Sequence, residues 1–249
     1  MNWGLYLDIF RDPRDYIFGA SSVPRIPYRP DGNWEDYLPK YEPQAENYET
    51  SGCTVWGALN QLEILHKYLY GTEPNYSERF TYILAGVNPS YGGDPNRAYE
   101  SIRKDGVIDQ EYLPVPATLA EFLTPKPMDK GNEVLGQRWL NTYEYKHEWV
   151  WYTPSASPED RITRLKEALQ YSPLGVSVTA WHLKDGKYVD NNRQNNHWCV
   201  LYKIDDQGMW VFDSYDHSKK CLALDHKITR VKRIYMNKKT VRALRKHKS

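Results

Sequence analysis

The chain has 249 residues, a formal net charge of +1 and no long uncharged apolar stretch, which predicts a soluble globular protein and excludes a helical membrane span. Its 21 Tyr and 9 Trp suit a cleft and an irregular β-rich core, but they do not separate one function class from another. The three cysteines, Cys53, Cys199 and Cys221, are an odd set with no second cysteine near Cys53, which argues against a disulfide framework and for a reducing compartment.

The N-terminus, Met1-Asn-Trp-Gly-Leu-Tyr-Leu-Asp, lacks a basic segment, a long apolar core and a small-residue cleavage site, so no signal peptide is expected and the chain reads as cytoplasmic. Pro24, Pro27, Pro30, Pro39 and Pro43 predict that residues 1–43 form an extended strap. Apolar spacing predicts helices over 54–69, 77–86, 95–104, 117–123 and 158–171. The last opens on Ser157-Pro158-Glu159-Asp160, a cap residue, a first-position proline and two acids. Strands are predicted over 174–182, 197–204, 208–214 and 229–236, and Lys126–Thr153, polar and aromatic without clear periodicity, reads as a crossover with short strands. The expected organisation is a single α+β domain over 1–249. It comprises the strap, a helical lobe at 44–125, a β-rich lobe at 126–237 and a basic tail at 238–249 that reads as a solvated terminal helix rather than a nucleic-acid contact.

Cys53, His197 and Asp213 stand in contexts suited to a thiol-nucleophile site. Cys53 ends the polar loop Gln44-Ala-Glu-Asn-Tyr-Glu-Thr-Ser-Gly-Cys and opens a helical run, so a helix is expected to begin at the sulfur, where unpaired N–H groups favour thiolate. His197 begins one strand and Asp213 ends the next, with Asp205-Asp206-Gln207-Gly208 as a turn between them. In an antiparallel hairpin those two ends are neighbours, so the carboxylate can hold the imidazole and the imidazole can take the thiol proton. A lone cysteine at a helix start is more often a small buried hydrophobe, and the His–Asp hairpin is what shifts the reading. Metal binding is the other option, because His197 and Cys199 share a strand face and His217 and Cys221 follow. Zinc pairs more often use tight Cys-x-x-Cys loops, and taking His197 as a ligand would leave Cys53 without a base, so no metal is expected. His66, His147 and His182 read as packing or surface residues.

The order Gln, Cys at a helix start, His, then a carboxylate resembles the papain-like cysteine peptidases. Other patches fall in the same order: Pro74-Asn-Tyr-Ser77-Glu78-Arg79-Phe80 is similar to the opening of that family's second helix, and Tyr91-Gly92-Gly93 to its glycine pair. Gly106-Val107-Ile108-Asp109-Gln110-Glu111-Tyr112 and the passage Ala168–Ala180 complete a match running from about Gln44 to Tyr215. The resemblance implies an N-terminal helical lobe, a C-terminal antiparallel β-barrel-like lobe and a site in the cleft between them. It further implies a polypeptide substrate and no cofactor. No membrane or nucleic-acid partner is expected, and protein partners are not legible. The roles implied are Cys53 as nucleophile, His197 as acid and base, Asp213 as orienting group, Gln44 in the oxyanion hole, and Gly92, Gly93, Val178, Ala180 and Asn196 around the substrate.

Departures from the family's pattern accompany these matches. Thr54 and Asp213 stand where tryptophan and asparagine are usual, and Tyr215 replaces the tryptophan that shields the histidine. Gln44 lies nine residues ahead of Cys53 and Asn47 six, so Asn47 is the alternative carboxamide donor. Versions this loose, without a propeptide, look like those of phages and some bacteria, which would allow host cytoplasm or a virion as location. Two rivals remain. A transglutaminase-like or cell-wall amidase could use the same three residues, and a non-catalytic virion protein could keep the fold. Gly92-Gly93, the long interval from Cys53 to His197 and the Val176–Ala180 passage favour the papain-like reading over the first, and the intact Cys, His and Asp over the second.

Overall fold

Fourteen consecutive residues, Cys53 to His66, are buried in helix α1 (Cys53–Tyr70), so this helix is covered on all sides rather than amphipathic. The structure is a computed structural model and describes residues 5, 21–124, 129–151, 157–191, 193–216 and 219–240. Around α1 pack α2 (Glu78–Ala85), capped by the Ser77 hydroxyl, and α3 (Pro95–Asp105), capped by Asp94 with proline in its first turn. Then come α4 (Leu119–Phe122), α5 (Lys130–Thr142) and α6 (Pro158–Leu169), each opened by a Thr or Asp or Ser cap: Thr118, Asp129 and Ser157.

Among the described residues eight strands form one sheet: β1 (Tyr143–Trp151), β2 (Leu174–Val178), β3 (Leu183–Lys184), β4 (Lys187–Tyr188), β5 (His197–Ile204), β6 (Met209–Phe212), β7 (Lys219–Leu222) and β8 (Val231–Lys238). Their order is β1-β8-β2-β5-β6-β7-β4-β3, and every pairing is antiparallel except β4 with β7. Among the described residues β1 and β3 are the ends of the sheet and do not pair with each other, so the sheet is open where the sequence led to the expectation of a barrel-like closure. The mixed α+β architecture is otherwise the one expected.

Of the crossover predicted over 126–153, the described residues 129–151 instead form a helix and the longest strand among the described residues. In β1 the rings of Tyr145, His147 and Trp149 alternate with Glu144, Lys146 and Glu148, a period of two hidden by the polar and aromatic composition and ended by a bulge between Trp149 and Trp151. Helix α5 buries Asn132, Gly136 and Trp139, a helical spacing with a single large apolar residue in it. The predicted strand 174–182 ends at Val178, and β3, β4 and β7 were not predicted at all.

Two close approaches seat helices on the sheet, α1 through Gly57 and α3 through Tyr99. A Cβ at Gly57, one turn after Cys53, would lie 2.6 Å from the Trp198 ring, and one at Gly175 would lie 2.1 Å from Tyr99 Oη. The absence of side chains there lets the start of α1 come down beside the start of β5. Strap residues pack against both α1 and the sheet. Val23 and Pro24 carbonyls accept from Arg233, whose guanidinium also meets the buried Glu148, while Trp34 donates from its backbone to Tyr202 O at 3.0 Å and from its indole to Leu169 O at 2.8 Å. The tail from residue 241 lies outside the described residues, and Lys239 Nζ donates to Leu140 O at 2.5 Å.

Candidate active site

Chain entry into α1 is tightly held. Ser51 adopts φ 52°, in the left-handed region that costs a non-glycine residue about 1 kcal/mol or more. Its N–H donates to Glu49 Oε1 at 2.6 Å and its hydroxyl to Pro89 O at 2.8 Å, which over-determines the turn. Gly52 then serves as N-cap and Cys53 is the first helical residue, fully buried.

Across from it, β5 begins with His197, also fully buried. Val200 pairs with Phe212, so Asp213, one residue beyond β6, comes alongside the first residues of β5. His197 Nε2 donates to Asp213 Oδ1 at 2.5 Å, and its second hydrogen-bonding partner is Cys53. Burial pushes the His197 pKa down, but the Asp213 carboxylate and the Cys53 sulfur outweigh it and raise the imidazole to about 10. An imidazolium between a sulfur and a carboxylate can hold and return a proton. Trp181 packs edge-on against His197, with ring centres 5.4 Å apart.

Asp213 Oδ2 accepts from Lys220 Nζ at 2.6 Å, and both side chains are fully buried. Lys220 was not picked out from the sequence. It pairs with Val211 across β6 and β7, and Asp213 is two residues along the same strand face, so the two side chains are diagonal neighbours. The alternation Lys220, Leu222 against Val211, Asp213 was the only available signal.

Gln44 is buried, with its N–H on Ser214 O at 2.9 Å and its side-chain Oε1 accepting from Ser214 Oγ at 2.9 Å, so it is tied to the residue after Asp213. Its Nε2 faces Glu49 Oε1 at 3.4 Å. Asn47 is exposed. Gly92 closes a turn with Asn88, and Gly93 forms a β-bridge with Leu5, whose N–H donates to Asn196 O at 3.4 Å. Asn196 also receives the Ala180 N–H on Oδ1 at 2.9 Å and donates its own N–H to Val178 O. Val178 is the register partner of His197 and is fully covered, and Ala180 is 8% exposed.

Cys199 lies in the core, where burial and then Asp213 push its thiol well above the usual range. Cys221 sits on β7 opposite Trp210, and His217 lies outside the described residues. Among the described residues no group of three or more His, Cys, Asp or Glu could hold a metal, and no helix is long and apolar enough to cross a membrane.

No protein-family model and no curated protein sequence matches the chain. Solved structures do. The bromelain protease from Ananas comosus is 19% identical with a TM-score of 0.56, over 84% of this chain and 98% of that one. Digestive procathepsin L 3 of Tenebrio molitor larval midgut is 14% identical with a TM-score of 0.54, over 88% and 75%. The clostridial cysteine protease Cwp84 is 11% identical with a TM-score of 0.60, over 82% of this chain but 56% of its own. At such identities the likeness is one of fold, and the fold is papain-like.

Proposed function

We propose that this chain is a papain-like cysteine peptidase that hydrolyses peptide or isopeptide bonds. The observation that carries the reading is His197, hydrogen-bonded to Cys53 at the start of a helix and to Asp213 at 2.5 Å, in a fold shared with cysteine proteases. Cys53 thiolate bonds to the substrate carbonyl carbon. The carbonyl oxygen takes the negative charge, facing the Cys53 N–H and the Gln44 carboxamide. As the C–N bond breaks, His197 gives its proton to the leaving amine. Water then attacks the thioester, loses a proton to His197, and releases the acid and the Cys53 thiolate, which restores the starting pair.

Gln44 is preferred to Asn47 as the oxyanion donor because it is buried and bonded to Ser214 while Asn47 faces solvent. Leu5 supports the substrate sites, since its backbone rests on Gly93 and Asn196 as an extended peptide would. Val178 and Ala180 are assigned to the main specificity pocket, and Gly92 with Gly93 to the substrate cleft. The test is hydrolysis of a fluorogenic peptide library by the full chain and its Cys53→Ala variant, with free amine added as a competing acceptor. Cys53-dependent release of free acid supports the peptidase; transfer to the amine alone would make the chain a transglutaminase, and no turnover would overturn both.

A further inference from the structure

We propose that Lys220 is a positioning residue of this site, holding Asp213 and cancelling its charge so that a carboxylate can stand where a neutral group would otherwise orient the histidine. The inference rests on the peptidase reading for its purpose but on geometry for its substance. Asp213 has no exposure, and an ionised carboxylate in such a place is costly without a counter-charge. Lys220 supplies it at 2.6 Å on Oδ2, which leaves Oδ1 to His197. With Cys53 as thiolate and His197 as imidazolium, the four groups carry two positive and two negative charges.

The ammonium is itself fixed. Its Nζ donates to Tyr215 O at 2.7 Å, lies 5.0 Å from the Trp181 ring centre and 6.0 Å from that of Tyr188. Trp181 also packs on His197, so one indole covers the imidazole and the ammonium together. Titratable groups facing the Asp213–His197 pair are Cys53 from α1, Cys199 on β5, Lys220 on β7, Tyr188 on β4 and Tyr41 from the strap. Lys220 is the cation in contact with Asp213, so it sets how strongly the carboxylate pulls on the imidazole proton. Without it the imidazolium would be over-stabilised and a poorer acid toward a leaving amine.

The experiment is a nitrogen NMR titration of His197 in the full chain, with Lys220→Met, Lys220→Arg, Asp213→Asn and the Asp213→Asn/Lys220→Met pair, each also measured for melting temperature. Lys220→Met should raise the His197 midpoint by about one unit, a tenfold change in proton affinity, while Lys220→Arg should stay near the parent value. The double variant should recover melting temperature lost by either single change. If Lys220→Met does not fold, Asp213→Asn and the double variant still form a pair differing only in the lysine charge, and the double should titrate higher. Equal midpoints in either pair, with only melting temperature affected, would overturn the proposal and leave Lys220 a structural counter-ion. Peptide hydrolysis by the parent chain is scored separately: its absence would sink the peptidase reading, while the titration would still decide the role of Lys220.

Discussion

His197 Nε2 meets one oxygen of Asp213 at 2.5 Å and Lys220 Nζ meets the other at 2.6 Å, so a single buried carboxylate joins an imidazole to an ammonium. That bridge makes Asp213 the counter-charge of Lys220 as well as the acceptor of the His197 N–H. Asp213→Asn would still present an oxygen to His197, but it would remove the largest influence raising the imidazole and leave Lys220 facing a neutral amide. The alkaline limb of kcat/KM against pH should therefore move down by about one unit or more. Stability should fall by about 3 kcal/mol, from a buried ammonium that has lost its counter-charge. Both are read from pH–rate profiles and chemical denaturation of the two proteins.

Cys53→Ala should abolish hydrolysis, a loss of several orders of magnitude, without changing the melting transition by more than a core-sized increment. Iodoacetamide mapping should label Cys53, hydrogen-bonded to the His197 imidazole, in preference to Cys199, whose thiol is pushed up by burial and Asp213. Preferential labelling of Cys199 would contradict the assignment of the nucleophile.

Leu5 rests on the two backbone groups assigned to substrate, and Cys53 and His197 are both fully covered. Leu5→Asp would place a charge in a position that is 6% exposed and weaken that docking. The expected result is a lower KM for a peptide substrate, by about threefold to tenfold, with kcat little changed, measured in steady-state assays beside the parent. An unchanged KM would separate the Gly93–Asn196 edge from the substrate path.

Histidines also set the pH range of stability, with opposite signs. His197, raised to about 10, binds a proton that the unfolded chain releases near 6.5. Its contribution is therefore complete below pH 6.5 and lost as pH rises through about 10. His147 is pushed down to about 3, by burial first and then by Lys232, against the pull of Glu100. Its contribution is present above 6.5 and lost as pH falls toward 3. His197→Gln should flatten the alkaline side of the stability profile. His147→Gln should flatten the acid side by up to one proton, about 1.4 kcal/mol per pH unit, as measured by denaturant midpoints across the range.

Where a local pattern sufficed, the sequence already carried the answer. The helix start at Cys53 follows from a polar loop running into continuous apolar spacing, and the His197–Asp213 neighbourhood follows from two strands joined by a tight turn. Gln44 could be named but not located, because a carboxamide nine residues ahead of Cys53 has no periodicity to say which way it points. It was Ser214, from the far end of the chain, that held it. Asn132 and Trp139 in α5, and the alternation in β1, went unread because tertiary burial selected positions that apolar composition does not mark. Lys220 was beyond the reach of pattern altogether. A lysine in a polar run reads as solvated, and only the β6–β7 register, which sets it diagonally across from Asp213 beneath Trp181, turns it into a buried counter-charge. Local spacing determines which elements form and which residues begin or end them; the partner of a buried charge is decided by strands that meet only after the sheet has assembled.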